Sequence, residues 1–115
     1  MYAIGTDIVK ISRIEKLSLD NKFVDKIFSK KELDYCNSYK NFNTHLAGKY
    51  AGKEAVKKAV LSKSLLDNIS LKRIEILNNT DKSPYISIDG LNNLKCEISI
   101  SHDSDYAIAF VLIEI

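Results

Sequence analysis

The chain has 115 residues, 45% of them hydrophobic, which is enough for one domain with a modest core. No apolar run approaches the length of a membrane span, and the N-terminus lacks the regions of a signal peptide, so we expect a cytoplasmic protein without a membrane partner. The net charge of +2, with arginine only at Arg13 and Arg73, is weak for a nucleic-acid reader, so no nucleic-acid partner is expected.

The first predicted strand carries an acid in an unusual place. Residues 2–9 have the composition of a β-strand, yet Asp7 lies beside Ile8, and aspartate is depleted in strands. Gly5, two residues earlier on the same face, permits close approach by a backbone or a ligand. The strand therefore presents a carboxylate where another element can come near.

Three short helices are expected next. The first covers residues 11–17, and Asp20 can cap the second. Ser29 and Glu32 fit a capping box that begins the third helix, which is expected to include Tyr39. A functional role for Glu32 competes with this structural role, and we favour the structural one.

A long amphipathic helix is predicted over residues 44–60, and a second acid lies on its apolar side. Glu54 falls within a stripe of small and aromatic residues, and Lys58 follows one turn later. A carboxylate among apolar neighbours is costly unless a cation, a metal ion or a ligand compensates its charge. A solvated Glu–Lys pair would explain the same two residues. The stripe consists of Ala47, Tyr50, Ala51 and Ala55.

The second half of the chain is expected to form mostly strands. Residues 71–77 and 84–88 are joined by a turn-rich linker, and a hairpin around residues 103–105 follows. The order of strand, helices and strands predicts one α+β domain over residues 1–115, with a largely antiparallel sheet and the helices on one side. Cys36 and Cys96, which form no CxxC motif, are expected as reduced thiols.

Four motifs occur in order along the chain: residues 4–9, 28–33, 53–59 and 98–102. Together they resemble the holo-[acyl-carrier-protein] synthases, the small bacterial 4′-phosphopantetheinyl transferases. The resemblance implies the 4′-phosphopantetheinyl transferase fold, a homotrimer with active sites between subunits, and a role in fatty acid biosynthesis. The implied reaction transfers 4′-phosphopantetheine from coenzyme A to a serine of apo acyl carrier protein and releases adenosine 3′,5′-bisphosphate.

The resemblance also implies roles for five residues. Asp7 and Glu54 resemble the family's Mg²⁺ ligands, and two hard oxygen donors suit Mg²⁺ when substrate phosphates complete the coordination. Glu54, or a water that it orients, would activate the acceptor serine. Lys58 resembles the family's phosphate-contacting lysine, a catalytic as well as a coenzyme-binding role. His102 and Lys49 are further candidates for coenzyme binding, the alternatives being a strand-end histidine that hydrogen-bonds the hairpin and a solvated lysine.

The carrier protein is expected to dock on the first two helices. Arg13, Lys22 and Lys26 would meet acidic side chains of the partner, with Phe23 as an apolar anchor. The alternative for Phe23 is a place in the core.

One segment departs from the family pattern. No glycine occurs from residue 55 to residue 89, where the family has a glycine-containing turn after the long helix. The loop at residues 61–69 is therefore expected to lack the positive φ that glycine permits, and the family's coenzyme contacts at this loop are not transferred.

A non-enzymatic module that binds an acidic protein or RNA is the alternative function. Asp7 and Glu54 oppose it, because such a module has no need for two acids on apolar faces and acids weaken nucleic-acid binding.

Overall fold

The computed structural model describes residues 1–91 and 93–115 and has the predicted α+β architecture. Strand β1 is followed by four α-helices, a short 3₁₀ turn and four further strands. The elements are β1 Tyr2–Lys10, α1 Ile11–Leu17, α2 Asn21–Ile27, α3 Lys30–Asn37, α4 Phe42–Ser62, the 3₁₀ turn Leu71–Arg73, β2 Ile74–Asn78, β3 Pro84–Ile88, β4 Lys95–Asp103 and β5 Tyr106–Glu114.

The strands form two antiparallel sheets. The larger sheet has the order β1-β5-β4 and the smaller one pairs β2 with β3. In the larger sheet Thr6 and Ser99 lie on either side of Phe110, which fixes the register on β5. The four helices precede β2, so β1 reaches its partners at the end of the chain only through tertiary folding.

Helix α4 packs directly on the inner face of the larger sheet because the residues there are small. A Cβ atom added to Gly5 would lie 1.8 Å from the carbonyl oxygen of Ala55, so only glycine allows this approach of β1 to the helix backbone. The alanines at positions 47, 51, 55 and 59 of α4 are fully buried. The predicted apolar stripe is thus the face that joins helix and sheet.

The predicted caps are confirmed, whereas two predicted boundaries are wrong. Asp20 accepts from the backbone N–H of Lys22, and Ser29 and Glu32 form the capping box. Tyr39 lies beyond α3, which ends at Asn37, because the chain turns there and Tyr39 stacks on His45 with ring centroids 4.0 Å apart. Residues 71–73 form a 3₁₀ turn, so β2 begins only at Ile74.

The glycine-free loop does adopt positive φ. Ser64 has φ 54°, so the expectation that this backbone lacks the left-handed conformation is wrong. The Ser64 N–H donates to the carbonyl oxygen of Leu61 and the Leu65 N–H to that of Val60. These bonds at the end of α4 offset the modest cost of the left-handed conformation at a residue other than glycine.

Side chains of α3 and α4 satisfy the edge of β2 that faces away from β3. The carbonyl oxygens of Ile74 and Ile76 accept from Lys53 and Lys49, respectively. The Glu32 carboxylate accepts from the backbone N–H of Ile76 at 2.9 Å. Because these edge groups are already paired, the smaller sheet ends at β2 instead of joining another strand.

Two further observations concern the whole chain. Both cysteines are free thiols, Cys36 buried and Cys96 half-buried. Across residues 1–91 and 93–115, no helix combines the length and the apolar character that crossing a membrane requires.

Candidate active site

The first part of the site lies where β1 meets α4. Asp7 follows Gly5 on the face of β1 that packs against the helix, and its side chain is 16% exposed. The Lys58 ammonium lies 3.0 Å from Asp7 Oδ1 and donates to the carbonyl oxygen of Thr6 at 3.1 Å. Lys58 is therefore paired with Asp7 across two elements, and not with Glu54 in a solvated pair along the helix.

Tyr50 connects the two acids. Burial raises the pKa of the Tyr50 phenol, and the Glu54 and Asp7 carboxylates raise it further, whereas Arg13 lowers it. Glu54 follows Tyr50 by one helical turn and is half-buried. Both carboxylates therefore act electrostatically on the same phenol, which stays protonated. The Arg13 guanidinium lies 6.0 Å from the centre of the Tyr50 ring, so this site borders α1.

The donor set of this site fits a hard divalent cation. Asp7 and Glu54 offer carboxylate oxygens from two packed elements, and Mg²⁺ is commonly held by one or two carboxylates together with waters and substrate phosphates. The part of the chain that the structure describes contains no cluster of three or more His, Cys, Asp or Glu side chains suited to a metal. Two carboxylates are thus the protein ligands available here, and phosphate oxygens would have to supply others.

Lys49 and His102 lie in a second part of the site. They line a cleft of about 210 Å³ between α4, the β2–β3 hairpin and β4. His45 and Lys82 line the same cleft, and Lys82 has φ 72°, a left-handed conformation that directs the hairpin turn. Two lysines and two histidines thus line one cleft, and the lysine charges suit an anionic ligand.

Lys49 is not a solvated lysine, as the alternative interpretation had it. Its side chain is only 4% exposed, and its ammonium donates to the carbonyl oxygen of Ile76 and to Asn78 Oδ1. The ammonium also lies 4.6 Å from the centre of the Tyr35 ring. Burial lowers the pKa of Lys49. The pKa of His45 is also lowered, mainly by burial and to a lesser extent by the neighbouring charges of His102 and Lys49. The cleft therefore favours the neutral form of His45.

The two parts of the site lie on different stretches of α4. Lys49 and Lys58 are nine residues apart, which corresponds to about 14 Å along the helix axis. Within one chain, the cleft with Lys49 and His102 does not merge with the site around Asp7 and Lys58: the residues that line the cleft include neither of the latter.

The predicted docking helices carry their cations on the surface. Arg13, Lys22 and Lys26 are exposed, as a docking role requires. Phe23 instead packs partly into an aromatic cluster, 6.3 Å from Phe28 and 6.1 Å from Tyr50 between ring centroids. Much of the Phe23 ring is therefore buried in the core, as the alternative interpretation of this residue expects.

Two features escaped the sequence analysis. The first is Leu19, an apolar residue in the turn between α1 and α2 that is 84% exposed and could contact a docked carrier protein. Its position directly before the helix cap Asp20 could have indicated an exposed apolar residue. The buried ion pair of Glu32 and Lys53 had no comparable signal, because Lys53 resembles its solvated neighbours in the sequence.

On the outer face of the larger sheet, β1 and β5 expose large apolar side chains, whereas β4 contributes polar ones. The apolar side chains come from alternate positions of β1 and β5, where period-2 alternation directs them away from α4. Monomeric proteins seldom expose a contiguous apolar surface of this kind without a function in binding. The exposed side chains are Tyr2, Ile4, Ile8, Tyr106, Ile108 and Phe110.

Comparison with known proteins agrees with this geometry. The model of the 4′-phosphopantetheinyl transferase superfamily matches residues 3–111. The holo-[acyl-carrier-protein] synthase of Thermodesulfovibrio yellowstonii is 44% identical over 112 residues, with 96% of each chain covered. That of Aquifex aeolicus is 38% identical over 119 residues, covering 96% of this chain and 97% of the relative.

Solved structures show the same similarity. The synthase of Helicobacter pylori in complex with coenzyme A has a TM-score of 0.77 and 33% identity, covering 96% of this chain and 99% of the other. The synthase–coenzyme A complex of Chronobacterium ammoniagenes has a TM-score of 0.82 and 27% identity, covering 98% of this chain and 96% of the other.

Proposed function

The chain belongs to the 4′-phosphopantetheinyl transferase superfamily, and we propose that it is a holo-[acyl-carrier-protein] synthase. It transfers 4′-phosphopantetheine from coenzyme A to a serine of apo acyl carrier protein and releases adenosine 3′,5′-bisphosphate. The observation that carries the proposal is the meeting of Asp7 and Lys58 at the contact of β1 with α4, one helical turn from Glu54. The reaction takes place in the cytoplasm and serves fatty acid biosynthesis.

In this proposal Asp7 and Glu54 would hold Mg²⁺, which would neutralise charge on the diphosphate of coenzyme A. Lys58 contacts the phosphate that is transferred; its long, half-exposed side chain can exchange the Asp7 carboxylate for a phosphate oxygen. Glu54, directly or through a water that it orients, takes the proton of the acceptor serine. The low exposure of Asp7 supports this assignment, because limited water access strengthens its interactions with cations.

Lys49 and His102 bind the nucleotide part of coenzyme A in their cleft. The cations around the cleft support this assignment, since coenzyme A carries a phosphate on its ribose as well as the diphosphate. Lys49 is already bonded to two protein acceptors. Its contribution is therefore chiefly the positive potential at the cleft, while His102 and Lys82 are free to reach the ligand.

The protein is a homotrimer in this proposal, with each active site between two subunits. Two observations support it: the exposed apolar face of β1 and β5, and the separation within one chain of the acid site from the basic cleft. In the proposed trimer, the acid site of one subunit and the basic cleft of its neighbour would together form one active site.

The direct test is labelling of apo acyl carrier protein by coenzyme A, read as a mass increase of one phosphopantetheine. We expect labelling with Mg²⁺ and none after chelation by EDTA, with activity restored by added Mg²⁺. A carrier protein whose acceptor serine is replaced by alanine is the matched control. Absence of labelling by the folded protein under these conditions would contradict the proposed function.

A further inference from the structure

The core contains an ion pair that the proposed reaction does not use. Glu32 Oε1 lies 2.7 Å from the Lys53 ammonium, and both side chains are fully buried. Burying two charges is costly, and a pair of this kind often stabilises a fold no more than apolar residues of the same volume would. Stability alone is therefore a poor explanation for its presence.

The pair is fully hydrogen-bonded and joins four elements. Besides Glu32, the Lys53 ammonium has the carbonyl oxygens of Leu71 and Ile74 as acceptors, so each of its three donors has a partner. Glu32 accepts from two backbone N–H groups, one at the start of α3 and one in β2, both at 2.9 Å. Lys53 therefore fixes α4 to α3, to the 3₁₀ turn and to β2 at a single point.

Helix α4 is thus held on two sides. On one side β1 touches its backbone, with Gly5 against Ala55; on another, the ion pair anchors it to β2 and α3. Glu54 directly follows Lys53, and consecutive helical residues differ by about 100° around the axis. Any rotation of α4 that displaced Lys53 would displace Glu54 and Lys58 by the same angle.

We propose that the Glu32–Lys53 pair is a positioning device for the transfer reaction. It fixes the rotation of α4 about its own axis, and thereby the direction in which Glu54 and Lys58 face Asp7. The proposal rests on the proposed function, because neither member of the pair contacts substrate and both act through α4. A displacement of about 1 Å at the reacting groups can lower a rate by about 100-fold.

The test separates positioning from stability with the double variant Glu32→Gln/Lys53→Met. Both charges are removed together, so no uncompensated charge stays in the core and the protein is expected to fold. The amide oxygen at position 32 can still accept from the first N–H group of α3. One backbone N–H beside position 32 and the carbonyl oxygens that Lys53 binds lose their partners, so we expect a urea midpoint below that of the parent. We also expect a kcat about 10- to 100-fold lower and an unchanged KM for carrier protein.

The matched control is Ile88→Ala, which destabilises the smaller sheet but keeps Glu32, Lys53 and the backbone acceptors of Lys53 in place. Ile88 is buried in β3, and its truncation lowers the urea midpoint. Assayed where it is folded, this variant is expected to keep the parent kcat. A double variant with the parent kcat, or an equal loss of kcat in Ile88→Ala, would overturn the proposal.

A second variant covers the case in which the double variant does not fold. Lys53→Arg keeps the charge, but a planar guanidinium cannot match the three acceptors of the ammonium. Positioning predicts a folded protein with reduced kcat, and an unchanged kcat overturns the inference. The parent protein is assayed alongside: if it shows no transfer, the proposed function fails, whereas a parent and variants of equal activity refute the positioning role alone.

Discussion

At the scale of single residues, the site depends on charges whose partners are distant in sequence. Asp7 meets Lys58, 51 residues later, and Lys53 meets Glu32, 21 residues earlier. Two lysines five residues apart on α4 thus differ completely in environment. Lys53 has no exposed surface, whereas the side chain of Lys58 is 56% exposed.

Replacing either acid with its amide tests the metal ligands. Asp7→Asn and Glu54→Gln preserve side-chain size and are expected to fold, but they remove the charge that binds Mg²⁺, so most transfer activity should be lost. The measurement is the rate of carrier-protein labelling over a Mg²⁺ series. Parent-like turnover of either variant at limiting Mg²⁺ would exclude that residue from the metal site.

Lys58→Ala should reduce kcat/KM for coenzyme A. Loss of one electrostatic contact to the transition state is worth about 2–4 kcal/mol, by analogy with single oxyanion-hole donors. Lys57→Ala, the neighbouring position, removes the same charge from α4 and serves as the control. If only the KM for carrier protein changes, Lys58 belongs to the docking surface and not to the phosphate site.

At the scale of elements, α4 organises the protein, and polar side chains tie it to its neighbours. Its alanine face lies on the larger sheet, while Lys49 and Lys53 pair with the edge of β2. Hydrophobic packing sets the distance between α4 and the larger sheet. The directional hydrogen bonds to β2 fix the rotation of α4 about its axis.

Lys53→Met should destabilise the fold strongly. It leaves Glu32 buried without its counter-ion, and breaking such a pair from one side costs about 3–5 kcal/mol. Urea unfolding measures the effect. The control is Lys30→Met, which breaks the exposed Lys30–Asp34 pair of α3 and should change the stability little. Equal stability losses in the two variants would show that the buried pair contributes no more than a surface pair.

Charge reversal on α1 and α2 tests the docking surface. Changing Arg13, Lys22 and Lys26 to Glu should slow association with carrier protein and leave coenzyme A binding nearly unchanged. Exposed cations act mainly on the association rate, and salt screens them beyond about 8 Å at physiological ionic strength. The measurement is kcat/KM for carrier protein across a salt series; a salt slope equal to that of the parent would place the docking surface elsewhere.

At the scale of the whole molecule, two features of the single chain call for a binding partner. The outer face of the larger sheet exposes aromatic and aliphatic side chains on its central strand β5 and on the neighbouring edge strand β1. The acid site and the basic cleft also occupy separate stretches of α4. The proposed trimer would account for both features, because it would cover the face and combine sites from neighbouring subunits.

Light scattering should therefore give the mass of a trimer of the 13.0 kDa chain. Phe110→Lys, in the middle of the apolar face, should dissociate the trimer and reduce transfer, because a charge at a buried interface is costly. Tyr85→Lys, an exposed position on β3 outside that face, is the control. A fully active protein with the mass of one chain would contradict the trimer.

The amino-acid sequence by itself determined the fold class, the three short helices and the two hairpins. These depend on local signals: the Asp20 cap, the Ser29–Glu32 capping box, the alanine stripe, and alternation in the strands. The family followed from four short motifs in order, and the same motifs named Asp7, Glu54 and Lys58 as candidates for one site.

Only the tertiary structure decided which charges are buried and which meet. The pairing of Asp7 with Lys58, the burial of Lys49, and the ion pair of Glu32 with Lys53 all join residues at least 21 positions apart. A lysine ammonium pairs in the core only when several acceptors converge on it, and β2, α3 and the 3₁₀ turn provide these for Lys53. Such convergence arises only when the elements pack together, so it cannot be predicted from helical periodicity in the sequence.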